Sequence, residues 1–243
     1  MADSAIIYTK KKHVARIILN RREVGNAFDP AMAQELEEAC RRISQEEDIY
    51  VVTLTGSGDV FCRGGEAGDR RPAGAIAAID RPVIAAVNGD ALGPGLELAL
   101  AADIRIASSQ ARFGLPAVAG GSIPADGGTQ RLPRIVGRGK ALELLLTADV
   151  ISAGEALEIG LVSRVVPPDE LAAATEKLAG DIAAKGPVAL RYLKEAVNKG
   201  LDTTLEQGLR LEADLYFLLH TTADRTEGIR AFLEKRPPKY KGR

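Results

Sequence analysis

Two hydrophobic periods alternate along the chain. Residues 5–8 and 14–19 ("AIIY" and "VARIIL") are short runs rich in β-branched side chains, separated by the polar turn "TKKKH". That is the pattern of two strands joined by a turn. A helical period follows in "FDPAMAQELEEACRRISQEE", where Met32, Leu36, Ala39 and Ile43 fall on one face. Asp29 stands where an N-cap belongs and Pro30 at the first helical position. "IYVVTLTG" (49–56) and "VIAAV" (83–87) are continuous apolar runs, as expected of buried strands. "LELALAA" predicts a short helix running into a strand at 103–107, "DIRIA". "GGTQRLPRIVG" and "GKALELLLT" predict two helical pieces broken at Pro133 and Gly137, and "SAGEALEIGLV" carries Ser152 and Glu155 at capping-box spacing. Residues 66–80, rich in Gly, Ala and charge, read as a loop near a site. From about residue 170 the pattern is helical and polar on one side. Alternating strands and helices define an α/β chain with largely parallel strands.

Composition narrows the function classes. A chain of 243 residues suits one large domain, or a domain with a small extension. With 32 basic and 33 acidic side chains, nothing points to nucleic acid or to an anionic membrane. Cys40 and Cys62 fit a reducing compartment, and no apolar run is long enough to span a bilayer. The N-terminus is too short and polar for a signal peptide, so a cytoplasmic location is expected.

The common catalytic motifs are missing. "GPGLEL" lacks the third glycine of a dinucleotide fingerprint, and "GRGKA" (137–141) lacks the first glycine and the Ser or Thr of a phosphate loop. No G-x-S-x-G elbow occurs, and His13 and His220 lie far from the cysteines, so no metal site is expected. What remains is "ALGPGLELAL" (91–100), a proline between two glycines and a glutamate in an apolar run.

Several segments together resemble the crotonase superfamily, the enoyl-CoA hydratase/isomerase family: "NRREVGNAF" (20–28), "VVTLTGSGDVFCRGGE" (51–66), "RPVIAAVNGDALGPGLELALAADIRIAS" (81–108), "ARFGLPAVAGGSIPADGGTQRLPRIVG" (111–137), "ALELLLTADVISAGEALEIGLVSRVVP" (141–167) and "AFLEKRPPKYKGR" (231–243). The resemblance covers nearly the whole chain. It implies a spiral of ββα units, with a crotonase core over 1–183 that holds the acyl and CoA sites. A helical region over 184–243 would then assemble homotrimers, or hexamers built as dimers of trimers. The implied substrate is an acyl-CoA thioester, with coenzyme A entering as part of the substrate and no separate cofactor. One scaffold hosts hydration, isomerisation, hydrolysis and decarboxylation in this superfamily, so the fold alone does not fix the reaction. The expected one is reversible hydration of a 2-enoyl-CoA. The alternatives are an isomerase, hydrolase or decarboxylase of the same superfamily using Glu97 with Asp126, and, outside enzymes, a CoA-binding paralogue with little activity.

Matched residue by residue, the resemblance places one oxyanion-hole N–H at Gly65. The second falls on Pro94, where the family has glycine and proline has no N–H. Pro94 also suits a helix start, which would leave the Gly95 N–H as the substitute donor. Glu97 matches the first catalytic glutamate of the hydratases. Ala117 stands where the second would be, so two-carboxylate hydration is unavailable. Asp126 either caps the following helix or supplies the missing carboxylate. For CoA, Arg22, Glu23 and Val24 sit at the family's adenine- and phosphate-binding strand end, and Arg63 lies beside a shortened loop. The basic tail "EKRPPKYKGR" either reaches CoA phosphates of a neighbour or is solvated, and the solvated reading is preferred.

Overall fold

The structure, a computed structural model, describes residues 4–243. Its main sheet begins with an antiparallel hairpin, β1 (Ile6–Lys11) and β2 (Val14–Leu19), in which Lys11 pairs with Val14. The strand therefore runs through the lysines expected in the turn, and the turn shrinks to Lys12 and His13, with Lys12 at φ 54°. Helix α1 (Pro30–Gln45) buries Met32, Ala33, Leu36, Ala39, Cys40 and Ile43, and the Asp29 carboxylate accepts from the Met32 N–H at 2.8 Å. The expected cap and apolar face are both present. Then come β3 (Val51–Gly56), the short helix α2 (Pro72–Ala77), β4 (Val83–Val87), β5 (Ala91–Leu92), α3 (Pro94–Leu100), β6 (Ile104–Ser108) and β7 (Arg112–Gly114). Helices α4 (Gly128–Val136) and α5 (Arg138–Thr147) precede β8 (Val150–Ser152), α6 (Ala153–Glu158) and β9 (Arg164–Val166). Four helices complete the chain: α7 (Leu171–Ala183), α8 (Pro187–Gly200), α9 (Leu205–His220) and α10 (Ala223–Leu233).

Six strands form one sheet in the order β1-β2-β3-β4-β6-β9, parallel except for the first pair. Successive strands are joined by helical crossovers, which is what parallel pairing requires. Alternate side chains of each strand enter different cores. Val52, Leu54, Val83, Ala85 and Val87 pack with α1 and α3, whereas Val51, Ile84, Ala86 and Ile106 pack with Leu171 and Ala179 of α7. Both faces are covered, hence the continuous apolar strands. A smaller sheet, β5-β7-β8, carries the chain into α3.

Three expectations need correction. Residues 66–80 are not only loop, because α2 lies within them. Pro133 does not break its helix: α4 runs through it and ends at Gly137, whose φ of 81° turns the chain. The basic tail is not a solvated arm. The buried Asp224 carboxylate accepts from the Lys241 and Gly242 N–H groups at 2.7 and 2.9 Å, and Glu227 holds Arg236 at 2.6 Å. The Ser152–Glu155 capping box of α6 is present as expected.

Candidate active site

Glycine geometry brings three chain segments together. Gly65 sits at φ 97° in a parallel bridge with Phe28, and a Cβ there would lie 2.2 Å from the Phe28 carbonyl oxygen. That bridge uses the Gly64 carbonyl and the Glu66 N–H, at 2.8 and 3.0 Å, and leaves the Gly65 N–H free to receive a ligand. Next to it, Gly93 adopts φ 52° and starts α3, with Pro94 at the first helical position. The Gly93 carbonyl accepts from the Leu96 and Glu97 N–H groups at 2.9 and 3.0 Å. Gly95 fits flush against the Cys62 carbonyl, 2.1 Å from where a Cβ would stand. Its N–H has no partner among the backbone bonds of the described residues.

Glu97 projects from this first turn and is only 3% exposed. Its Oε1 accepts from the Asp126 N–H at 2.7 Å and the Gly128 N–H at 2.8 Å, which fixes the carboxylate. Oε2 has no such partner among the described residues. The carboxylate faces a cavity of about 340 Å³ whose wall includes Gly65, Pro94, Leu115, Ala117, Pro124 and Asp126. Gly65, Pro94, Glu97, Ala117 and Asp126 are thus brought together as the sequence suggests. Gly95 lies one residue behind that wall.

Asp126 has a different place from the one expected. Its carboxylate does not cap the helix that follows it. It caps α2, accepting from the Ala73 N–H at 2.6 Å and the Gly74 N–H at 3.2 Å. Its own carbonyl takes Arg131 Nη1 at 2.6 Å. Residue 126 therefore links the wall helix α2 to the carboxylate of Glu97 through its side chain and its main chain. Burial pushes the Asp126 carboxyl above its ordinary value, against the α2 amides and the arginines nearby.

The charged residues expected near CoA lie outside this cavity. Arg22, Glu23 and Val24 form a 3-10 turn on the surface, and the Arg22 side chain crosses above Gly58. Arg63 packs on Gly25 and donates to Asp90 at 3.1 Å. Two contributors escaped the sequence reading. Asp90, 6% exposed, holds Arg63 and Arg112 together, and the Arg112 guanidinium beside it keeps its carboxyl below the usual range. Asn26, fully buried at φ 56°, spends its amide on the Arg21 N–H, on Ser57 and on the Val60 carbonyl, pinning the 20–28 loop to the end of β3. An asparagine following a glycine was the available signal for that left-handed turn.

No group of metal ligands and no membrane-crossing helix occurs among the described residues. The profile of the enoyl-CoA hydratase/isomerase family matches residues 9–243. The chain is 42% identical to crotonyl-CoA hydratase of Syntrophomonas wolfei, over 99% of each protein. It is 38% identical to short-chain-enoyl-CoA hydratase of Clostridium acetobutylicum, over 95% of each. The crystal structure of an enoyl-CoA hydratase from Bacillus anthracis superposes with a TM-score of 0.94 at 41% identity, covering 98% of this chain and all of that one. With a match to the family over residues 9–243 and full-length relatives at about 40% identity, the chain belongs to the enoyl-CoA hydratase/isomerase family, the crotonase superfamily.

Proposed function

We propose that the protein adds water reversibly across the C2–C3 double bond of a 2-enoyl-CoA, with Glu97 as the single acid/base. The observation that carries this reading is the setting of Glu97, with one oxygen pinned by two amides and the other left for chemistry beside the Gly65 amide. In the forward direction, Glu97 Oε2 takes a proton from water as the water oxygen bonds to C3. The π electrons move to the thioester oxygen, giving an enolate. The Gly65 N–H and the unpaired Gly95 N–H at the α3 start stabilise that charge. The protonated Glu97 then delivers its proton to C2 and returns to the carboxylate. Ala117 supplies no second carboxylate, so one group handles both proton transfers. Arg22 and Arg63 offer cations to the CoA phosphates outside the cavity.

Assembly follows from the C-terminal helices. Leu201 just past α8, Leu205 and Phe217 of α9 and Phe232 of α10 are 70–83% exposed. Apolar surface of that extent marks an interaction face, and its proposed occupants are other copies of this chain, in a trimer or hexamer.

The test is crotonyl-CoA and cinnamoyl-CoA hydration, followed by loss of enoyl-thioester absorbance and by product mass, with wild type and Glu97→Gln. Glutamine keeps an oxygen acceptor for the two amides but carries no exchangeable acid proton. A loss of about 10²–10⁴ in kcat is expected for a general acid/base. Turnover of neither ester by wild type overturns hydration, and a fully active E97Q overturns the role of Glu97.

A further inference from the structure

The wall between residues 65 and 72 carries two adjacent arginines with different circumstances. Arg70 is committed to α1: Nη1 donates to Glu37 Oε2 at 2.5 Å and Nη2 to Gln34 Oε1 at 3.1 Å. Arg71 is exposed and lines the cavity, and its guanidinium has neither a hydrogen bond nor an ion pair within 4 Å among the described residues, its carbonyl accepting from the Ala75 N–H at 2.9 Å. Its backbone is held from both sides, by the Arg70 bonds before it and by the Asp126 bonds to the Ala73 and Gly74 amides after it. A guanidinium has five donors in a planar fork suited to a carboxylate. Here that fork stands on an immobilised base with nothing to bind.

Its position favours the acyl end of a substrate. Arg71 precedes the α2 turn capped by Asp126, and the Asp126 N–H touches Glu97. The cations suited to the CoA phosphates, Arg22, Arg63 and Arg112, are not on the cavity wall. Asp126 feels the Arg71 charge, but no acidic group on that wall forms an ion pair with the guanidinium. Asp126 spends both oxygens on amides, and Glu66 adjoins the Gly65 amide, at the thioester end.

Building on the hydration reading, we propose that the acyl group carries a second, terminal carboxylate that pairs with Arg71. The substrate class is then the monothioester of a short unsaturated dicarboxylic acid. The comparison is trans-2-hexenedioyl-CoA against trans-2-hexenoyl-CoA, which match in chain length and differ at the far end. Wild type should favour the diacid ester in kcat/KM by about tenfold or more, the effect of one charge-assisted pair. High salt should shrink that preference, because Arg71 is exposed. Arg71→Gln should lose activity selectively on the diacid ester, and Arg71→Glu should reverse the preference. Saturated hexanedioyl-CoA and hexanoyl-CoA, which cannot be hydrated, give the same comparison by calorimetry. A wild type that prefers the hexenoyl ester overturns the proposal. So does an R71Q that weakens both esters equally, which would place Arg71 on the CoA phosphates. If neither ester is hydrated, the hydration reading fails, while the two binding constants still decide the role of Arg71.

Discussion

Asp126→Ala isolates the link between the wall helix and the Glu97 carboxylate. The substitution leaves the residue-126 N–H on Glu97 and removes both acceptors from the Ala73 and Gly74 amides. Losing an N-cap costs about 0.5–2 kcal/mol. Part of that is offset, because the half-buried carboxylate pays a desolvation penalty, visible as its raised pKa. A net loss of about 0.5–1.5 kcal/mol, at about 2–4 °C per kcal/mol for a chain of this size, predicts a fall in Tm of roughly 1–6 °C. Activity should suffer more. The wall would loosen where it meets the substrate, and a misplacement of about 1 Å is enough for a hundredfold loss. Asp126→Asn keeps one oxygen acceptor and should recover most of the Tm and much of kcat/KM. Differential scanning fluorimetry and steady-state hydration of crotonyl-CoA measure both. Unchanged Tm and activity in D126A would refute the link. An Asn variant as inactive as E97Q, with a shifted pH–rate profile, would make Asp126 a proton carrier instead of a positioning residue.

Gly65→Ala should fail more severely. Its Cβ would stand 2.2 Å from the Phe28 carbonyl oxygen at φ 97°, so destabilisation above about 3 kcal/mol is expected, read as loss of soluble protein or a collapsed melting transition. The tail responds to acid. Arg236 and the Lys239 amide hold the Glu227 carboxyl down at about 2, against an ordinary 4.5. The stability it adds is therefore complete above pH 4.5 and lost as the pH falls toward 2, so the Tm gap between wild type and Glu227→Gln should close over that window. Leu205→Glu combined with Phe232→Glu places charge on two of the most exposed apolar positions, at 79% and 83%, and should yield monomers by light scattering while leaving secondary structure intact by circular dichroism.

Local signals were sufficient where one segment satisfies itself. Asp29 and Pro30 mark the start of α1, and Ser152 with Glu155 marks that of α6, because cap and helix are contiguous. They were insufficient for α2, whose cap lies 53 residues away, in a different loop. A six-residue helix of Pro, Ala, Gly and Ile has little intrinsic stability, so its pattern reads as loop until Asp126 is placed beside it. Arg71 was hidden for the same reason. The tail misled in the opposite sense: its lysines and arginines look solvated, yet Arg236 pairs with Glu227, and backbone amides, which every sequence has and no pattern reveals, bond Asp224 and Glu227. The site positions Gly65, Pro94, Glu97 and Ala117 were legible through family resemblance, whereas the role of Asp126 required three dimensions.

The demands at positions 65 and 97 are of different kinds, and this bears on what each position tolerates. A Cβ at position 65 would stand 2.2 Å from the Phe28 carbonyl oxygen, so the backbone there would have to shift to admit any side chain, whatever the chemistry of the site. Position 97 has no such compulsion toward acid: the Asp126 and Gly128 amides require only an oxygen, which glutamine supplies equally well. Drift without chemistry would be free to exchange the acid for the amide. The packing around position 97 thus asks for an oxygen acceptor and not for an acid, which sets it apart from position 65, where packing alone asks for glycine.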